Sequence, residues 1–429
     1  MSTTKGLTRR WALIGVPAGL WSLCSAMVEA NATVDVATAK TKKQKAATQP
    51  TVPSATVASV NGLGVRLFAQ AIGTSSGNTV ISPLSLAVAL QMAAAGAGGA
   101  TEQVFGGVLG FNDSTAQKAG SELASLLKQL LKPQKSVTLR AANGIWLSKD
   151  AELNADYAEV QRKVFHARIE SRDFADPHTI AAINRWFAEK TNNLIPEMLP
   201  ELPAQTQIVL ANALYFKGRW QETFKAELTK PGPFQVAGNE PATLPLMNRS
   251  DSSFLYRETD QYQAIRLPFA GRVYEMLIAL PKQGIGAAQW AKELDEAAWS
   301  GLFDNGAYRE TPGELTLPRL KLTTGSDIRP SLEAIGLKGA FGEGADFSRM
   351  SKSKIQLDQV VHRTALTWDE TGAEAAAATA IVGVRSAISN EPKPFKMVVD
   401  RPFVLALRHA SSGAAILLGL VNNPGVGVG

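Results

Sequence analysis

Two serine motifs in the sequence are of types that enzymes use for nucleophilic chemistry. The first, Gly73-Thr74-Ser75-Ser76-Gly77, matches the G-x-S-x-G string that holds a nucleophilic serine on a strained turn between a strand and a helix. Here the string follows a helix-like segment, which favours a connecting loop instead. The second pairs Ser351 with Lys354 in an S-x-x-K string, but no K-T-G string follows, so a solvated charged turn is the better interpretation. A serine hydrolase using Ser75 stays as a remote alternative.

Four histidines could in principle bind metals or transfer protons: His166, His178, His362 and His409. None has a cysteine beside it, and their spacing does not match a zinc pattern. No glycine-rich phosphate loop of the Walker type is present either. The sequence therefore predicts a protein with no cofactor, no bound metal and no catalytic machinery of its own.

The net charge of +6 is concentrated near the N-terminus of the 429-residue chain. Residues 1–32 carry three basic residues and one acidic residue, a net of +2, and residues 33–54 carry four Lys and one Asp, a net of +3. About +1 is left for the remainder of the chain. Because a nucleic-acid binder carries its basic surface on the folded body, this distribution argues against nucleic acid as a partner.

The first 32 residues have the layout of an export signal. Three basic residues precede an apolar stretch, residues 11–27, and Ala30-Asn31-Ala32 has the small-x-small form of a signal-peptidase site. A membrane anchor is the alternative, but the apolar stretch is short for a span and contains Pro17. Arg9-Arg10 also resembles a twin-arginine signal. We expect a secreted or periplasmic protein that has no stable membrane insertion after signal removal.

Cys24, the only cysteine, lies inside this signal. Leu23 before it is too bulky for the usual lipoprotein pattern, although lipidation stays open. Cleavage after Ala32 leaves no thiol, so the mature protein needs neither disulfides nor a reducing compartment. Residues 33–54 are rich in Lys, Pro and Thr and lack hydrophobic periodicity, which predicts a disordered tether. We expect one domain over residues 55–424 and a Gly/Val tail over residues 425–429.

Hydrophobic periodicity predicts that helices dominate the first part of this domain and strands the second. This order indicates an α+β fold with mixed or antiparallel sheets. Ser411-Ser412-Gly413 predicts a hairpin between the last two strands. The predicted helices cover residues 57–72, 85–94, 114–131, 155–165 and 179–192, and the predicted strands cover 208–215, 264–267, 274–280, 314–322, 355–368, 403–408 and 414–421.

The segment from Asp369 to Ile381 has a local preference that disagrees with its surroundings. Its alanines are the best helix formers, yet the preceding run from Lys354 to Trp368 alternates apolar and polar residues as a strand does. Another strand-like run follows at Phe403. A run of very small side chains between two sheet strands can lie on the surface and later fit into a packed sheet.

In this segment and in six further strings the chain resembles the serpin family. The strings occur in the order in which the family has them, and they extend over nearly the whole folded part. They are NTVISPLSLAVALQM (78–92), INRWFAEKTNNLI (183–195), ANALYFKGRW (211–220) with Phe224, LPRLKLTTGSDIRPSLEAIGL (317–337), ADFSRM (345–350) and RPFVLALRH (401–409).

The resemblance implies a monomeric suicide inhibitor of serine proteases, with cysteine proteases as further targets. The protease attacks an exposed loop, about residues 370–400, and forms an acyl-enzyme. The loop then inserts into the central sheet and carries the protease to the opposite pole, where its active site is distorted. A serpin that does not inhibit and acts as a binding module is the alternative.

The resemblance also implies a hinge at which insertion begins. If the hinge became a strand, Ala373, Ala375, Ala377 and Thr379 would share one face, and all four are small enough to enter over a packed core. Glu374 would point to solvent, and Gly372 removes the Cβ where the chain bends. The hinge residues are Glu370, Thr371, Gly372, Ala373, Glu374, Ala375, Ala376, Ala377, Ala378 and Thr379.

Two supporting sites follow from the same resemblance. The shutter, a polar cluster under the sheet, corresponds to Ser82, Ser85, Asn212 and His362. The breach, where insertion starts, corresponds to Lys217, Gly218 and Trp220. An exposed strand position for His362 and an ordinary core position for Trp220 are the alternatives.

The resemblance implies that the bond cut by the protease lies near Arg385, Ser386 and Ala387. The usual inhibitory spacing from Glu370 places Ser386 before the scissile bond, which suits elastase-like or subtilisin-like proteases with small pockets. Arg385 lies one residue earlier and suits a trypsin-like pocket that holds a carboxylate. The loop that follows is several residues longer than is common in the family, so both bonds stay open, with Arg385 favoured.

Overall fold

The computed structural model of this chain describes residues 54–74, 77–111, 115–372 and 393–425. Within them no helix has both the length and the apolar character needed to cross a membrane. The helices are α1 Ser54–Thr74, α2 Pro83–Gly96, α3 Gly99–Leu109, α4 Ala116–Leu130, α5 Ala155–Phe165, α6 Pro177–Lys190, α7 Ala287–Glu293, α8 Glu296–Phe303 and α9 Arg329–Ala334.

The strands form two sheets. The nine-stranded sheet has the order β1-β14-β13-β8-β7-β6-β9-β12, with β5 paired to β6, and the five-stranded sheet has the order β10-β11-β4-β2-β3. The strands are β1 Thr79–Ile81, β2 Val137–Ser148, β3 Arg168–Arg172, β4 Ile208–Gly218, β5 Lys230–Phe234, β6 Ala242–Glu258, β7 Tyr262–Pro268, β8 Tyr274–Pro281, β9 Arg309–Pro318, β10 Leu320–Asp327, β11 Leu357–Trp368, β12 Phe395–Val398, β13 Phe403–His409 and β14 Ala415–Val421.

Helices packed on large sheets of mixed pairing confirm the predicted α+β class. The main core lies between the two sheets and the helices α1 and α2, and α2 is buried along almost its whole length. A second, smaller core lies between the other face of the five-stranded sheet and α6, where Trp146, Ile183 and Phe187 pack together. The five-stranded sheet is therefore covered on both faces.

Close helix packing explains why α1 contains a glycine at position 64. A Cβ atom at Gly64 would lie 2.3 Å from Cγ of Pro83, at the first turn of α2. Only a glycine lets the two helices approach so closely. Tertiary packing thus outweighs the low helix propensity of glycine at this position.

The predicted strand over residues 314–322 is wrong, because the structure divides it into two. β9 ends at Pro318 in the nine-stranded sheet, and β10 begins at Leu320 in the five-stranded sheet. Pro318 has no N–H to donate to a ladder, which favours a strand end there. Arg319 lies at the crossing between the sheets, and its N–H donates to the carbonyl of Pro245.

Candidate functional site

The candidate site is the line along which β4 and β11 pair, in the middle of the five-stranded sheet. These two strands are parallel, with Leu210 opposite Val360 and Phe216 opposite Leu366, whereas each is antiparallel to its other neighbour. Parallel pairing is slightly less stable per residue than antiparallel pairing. A new strand running in the opposite direction would therefore give β4 and β11 antiparallel neighbours on both sides. We call this line the slot.

A buried polar cluster lies under the middle of the slot, where α2 begins. Nδ1 of His362 on β11 lies 3.1 Å from Oδ1 of Asn212 on β4, and the N–H of Ser82 donates to Nε2 of His362 at 2.9 Å. Ser82 also caps α2, since its hydroxyl accepts the N–H of Ser85 at 3.2 Å. The amide of Asn212 donates to Oδ1 of Asn143 on β2. We call these five residues the central cluster.

The hydrogen bonds assign the charge state of His362. Nε2 accepts a backbone N–H, so the proton resides on Nδ1, from which it is donated to Asn212, and the ring is neutral. Burial lowers the pKa of His362 to about 3. The hydroxyl of Ser85 is buried without a hydrogen-bond partner. Opening the slot at this level breaks the contact between His362 and Asn212.

Glu370 holds the chain in place just beyond the upper end of β11. Its side chain is buried, with 6% of the residue exposed. Nε and Nη2 of Arg319 donate to its carboxylate at 2.8–3.1 Å, and the hydroxyl of Thr229 donates to it as well. Burial opposes ionisation, but the hydrogen bonds from Arg319 and Thr229 outweigh it and hold the pKa of Glu370 below its ordinary value.

Thr371 and Gly372 continue from Glu370 to the top of the slot. The carbonyl of Thr371 accepts the N–H of Trp220 at 2.9 Å, and Gly372 forms an antiparallel bridge with Arg219, directly after β4. Gly372 has φ of 119°, and a Cβ there would lie 2.2 Å from the carbonyl oxygen of Gly218. Glycine is thus required at the point where the chain turns from β11 towards β4.

Trp220 lies in an aromatic group at the same end of the slot. Its indole stacks on Phe269 at 4.5 Å with an interplanar angle of 15°, and its Nε1–H donates to the carbonyl of Asp369 at 2.9 Å. Gly218 ends β4, and a Cβ there would lie 2.7 Å from the ring of Phe269. Lys217 lies on β4 opposite Thr138 of β2 and is partly exposed. Trp220 therefore has both a core contact and a hydrogen bond to the hinge.

Several predicted residues lie outside the described part of the chain. These are the hinge positions from Ala373 to Thr379, the proposed scissile-bond residues Arg385, Ser386 and Ala387, the signal, tether residues 33–53, tail residues 426–429, and Ser75. Ser54, the last residue of the predicted tether, is instead the first residue of α1. α1 extends to Thr74, so the G-x-S-x-G string follows a helix and lacks the strand that a nucleophile elbow needs. Among the described residues no group of His, Cys, Asp and Glu could hold a metal ion.

Sequence reasoning missed three kinds of partner at this site. Arg319 binds Glu370 from 51 positions away, and Asn143 joins the central cluster from β2, which was not predicted. The hydroxyls of Thr324 and Thr364 both donate to the carbonyl of Val80, at 3.0 and 2.9 Å. The one local signal was Pro318 before Arg319, which marks the end of a strand.

Comparisons with known proteins agree on one family. The sequence profile of "Serpin (serine protease inhibitor)" matches residues 58–424. The chain is 30% identical over 369 residues to Iripin-2 of Ixodes ricinus, covering 84% of this chain and 92% of the relative. It is 31% identical over 361 residues to a leukocyte elastase inhibitor of Sus scrofa, covering 81% of this chain and 94% of the relative.

Solved structures show the same fold. The native state of tengpin, a thermophilic serpin, matches with a TM-score of 0.78 and 25% identity, over 86% of this chain and 94% of that one. Human thyroxine-binding globulin in complex with its hormone matches with a TM-score of 0.78 and 22% identity, over 86% and 99% of the two chains. Because the two sequences are only 22% identical, the match to thyroxine-binding globulin shows a shared fold and no more.

Proposed function

The chain belongs to the serpin family, and on this premise we propose that it is a suicide inhibitor of serine proteases, with cysteine proteases as further targets. Its family consists mostly of protease inhibitors rather than enzymes, and it has inhibitory relatives such as the leukocyte elastase inhibitor. The trap is insertion of the cleaved loop as a new strand between β4 and β11. A cleaved substrate results instead when deacylation is faster than insertion.

The antiparallel bridge between Gly372 and Arg219 is the observation that carries this proposal. It places the start of the loop at the top of the slot, in the direction that an inserted strand needs. Continuing the same register by seven residues puts Thr379 opposite Asn212, at the level of the central cluster. Its hydroxyl would enter between Asn212 and His362, whose mutual hydrogen bond is lost there.

The register also explains why the loop begins with such small residues. Ala375 and Ala377 would lie opposite Phe216 and Leu214, whose side chains are buried in the main core. Directly opposite residues on neighbouring strands share a face of the sheet, so a larger side chain at these positions would overpack the core. Overpacking costs about 1–3 kcal/mol per site. Alanine avoids this cost.

Insertion supplies the free energy for the trap. A strand with about fifteen new backbone hydrogen bonds, each worth about 0.5–1.5 kcal/mol net, stabilises the protein by roughly 10–20 kcal/mol. The intact form is then kinetically trapped rather than the most stable form. Release of stored strain on loop insertion is a known property of the serpin family.

The target protease depends on which bond of the loop is cut. We favour Arg385-Ser386, which suits a trypsin-like protease, because arginine pairs with a carboxylate in the specificity pocket. Cleavage at Ser386-Ala387 would suit elastase-like or subtilisin-like proteases. We also propose that the protein acts outside the cytoplasm after removal of its N-terminal signal, where such proteases act on it.

Incubation with trypsin, elastase and subtilisin tests the function. We expect a complex that survives SDS with at least one of them, and sequencing of the released peptide identifies the scissile bond. The cleaved protein should melt far above the intact protein. Absence of any such complex together with unchanged melting after cleavage would contradict inhibition. That result would instead favour a non-inhibitory binding protein, a class for which the fold shared with thyroxine-binding globulin gives a precedent.

A further inference from the structure

At the lower end of the slot, far from Gly372, side chains join β4 to β11. Oδ2 of Asp358 on β11 accepts the N–H of Gln207 at 2.6 Å and the N–H of Ile208 at 3.2 Å. In return, Oε1 of Gln207 accepts the N–H of Gln356 at 2.8 Å. At the point where β4 begins, each strand thus donates backbone hydrogen bonds to a side chain of the other.

A β-bulge directs the carboxylate of Asp358 to the neighbouring strand. The register of β11 against β4 shifts between Leu357 and Gln359, which leaves Asp358 without a backbone partner on β4. Bulges reorient the side chain of the extra residue in this way. The other carboxylate oxygen, Oδ1, accepts from the amide of Gln356 at 3.1 Å. Hydrogen bonds to an ionised carboxylate are about twice as strong as neutral ones.

We propose that Asp358 is a positioning residue for strand insertion. Its hydrogen bonds from Gln207 and Ile208, which we call the latch, set the rate of the last stage of insertion. The inference rests on the proposed function. Continuing the register from Gly372 and Arg219 by eleven residues puts Gly383 opposite Ile208, and Val384 follows opposite Gln207. The latch therefore opens only when the final residues before Arg385 enter the sheet. In the inserted form the new strand separates Asp358 from β4, so the hydrogen bonds that Asp358 accepts from Gln207 and Ile208 are lost.

A second carboxylate at the same end of the sheet provides a matched control. Oδ1 of Asp327 accepts the N–H of Arg329 at 3.0 Å and the N–H of Val360 at 3.2 Å. Asp327 thus also accepts two backbone N–H groups, but it joins β10 to β11. Insertion leaves that pair together, so these hydrogen bonds are present both before and after the loop enters.

The test compares Asp358→Ala with Asp327→Ala. Asp358→Ala should lower the melting temperature of the intact protein and leave that of the cleaved, inserted protein unchanged, because the latch exists in the intact form only. Asp327→Ala should lower both. After acylation by the protease that traps the parent, Asp358→Ala should form SDS-stable complex about tenfold faster in a quenched-flow experiment, whereas Asp327→Ala should match the parent. Asp358→Asn keeps the side-chain shape with a weaker acceptor and should show a smaller change in the same direction.

The outcomes distinguish a failure of the latch from a failure of the proposed function on which it rests. If Asp358→Ala lowers the melting temperatures of both forms equally, or leaves the trapping rate unchanged, the latch is wrong, while complexes of the parent still support inhibition. If the parent itself forms no complex and gains no stability on cleavage, the proposed function fails first, and the latch fails with it.

Discussion

Glu370 shows how one residue can hold the intact form at the start of insertion. Its carboxylate is buried and joins the hinge to Arg319 and Thr229, which belong to other segments. Arg319 is about half exposed, so solvent screens part of the attraction. The contact nonetheless satisfies three donors at the place where the chain leaves β11. Loss of this charge should therefore loosen the hinge.

We expect Glu370→Gln to destabilise the intact protein by about 1–2 kcal/mol, because a charge-assisted pair becomes a neutral contact. The variant should convert faster to inserted or polymeric forms on mild heating, as native gels over time would show. Glu152→Gln provides the control, since Glu152 pairs with Lys352 in an exposed ion pair that is worth little. Equal conversion rates for the parent and Glu370→Gln would exclude Glu370 as an anchor.

His362 makes the stability of the intact form depend on pH. Its pKa is about 3 in the folded protein and close to 6.5 in an unfolded chain. Between these values the unfolded chain binds a proton that the folded protein does not, so stability is complete above pH 6.5 and falls as the pH decreases. The slope from this residue is about 1.4 kcal/mol per pH unit inside that window.

Urea unfolding of the intact protein at several pH values between 7 and 4.5 should show this loss. His362→Gln keeps a donor and an acceptor but cannot titrate, so its stability should change less with pH than that of the parent. Buried His409, whose pKa is also lowered, contributes equally to both proteins. Parallel pH profiles for the two proteins would rule out His362 as the cause.

At the scale of the element, the proposed inserted strand requires small side chains on the face that would meet the main core. Ala377→Arg would place a long charged side chain opposite Leu214, where burial of an unpaired charge is strongly penalised. We expect the variant to be cut at the parent's initial rate but to trap at least about tenfold less protease. SDS gels of covalent complex against free cleaved protein measure the ratio.

Glu374→Arg is the matched control, because the register puts residue 374 opposite the partly exposed Lys217, on the face of the sheet away from the main core. It introduces the same side chain three positions earlier and should trap protease nearly as well as the parent. If both variants trap equally, the alternation of faces is wrong. If Ala377→Arg alone keeps full trapping, the Ala-rich segment does not become a buried strand.

Strands that are rich in apolar residues could be predicted from the sequence, and a strand of low strand propensity could not. β4, β8, β11, β13 and β14 were predicted close to their observed bounds, because their apolar residues and flanking turns identify them locally. β2 was missed, since its Ala, Asn and Gly residues have low strand propensity. Its position between β3 and β4 stabilises it all the same.

The pairing of strands that are far apart in the chain is the second feature that could not be predicted from the sequence. Nothing local to β4 and β11 shows that they are parallel neighbours, since about 140 positions separate them. Family resemblance gave four of the five residues of the central cluster, but not Asn143, the tautomer of His362 or the unpaired hydroxyl of Ser85. Likewise, Glu370 was predicted as a hinge residue while its partner Arg319 was assigned to the middle of a strand.

At the scale of the whole molecule, export leads to a direct prediction. If the signal is removed as predicted, the mature protein begins at or near Thr33 and lacks Cys24. Intact-mass measurement of protein recovered from the extracytoplasmic fraction checks both points. Retention of Met1 would contradict cleavage, and an added lipid mass would indicate processing at Cys24 instead.

The parallel pair formed by β4 and β11 can be replaced by antiparallel pairs with a new strand only once. After a strand had entered, each of the two would have an antiparallel neighbour on both sides, and their mutual parallel pairing would no longer be present. On the proposed function, a molecule that has trapped a protease cannot be used again, because the reverse step would have to extract a complete strand from a packed sheet. The inhibitory capacity would then equal the number of molecules present rather than a turnover rate, and protection would last only as long as new protein is synthesised faster than active protease arrives.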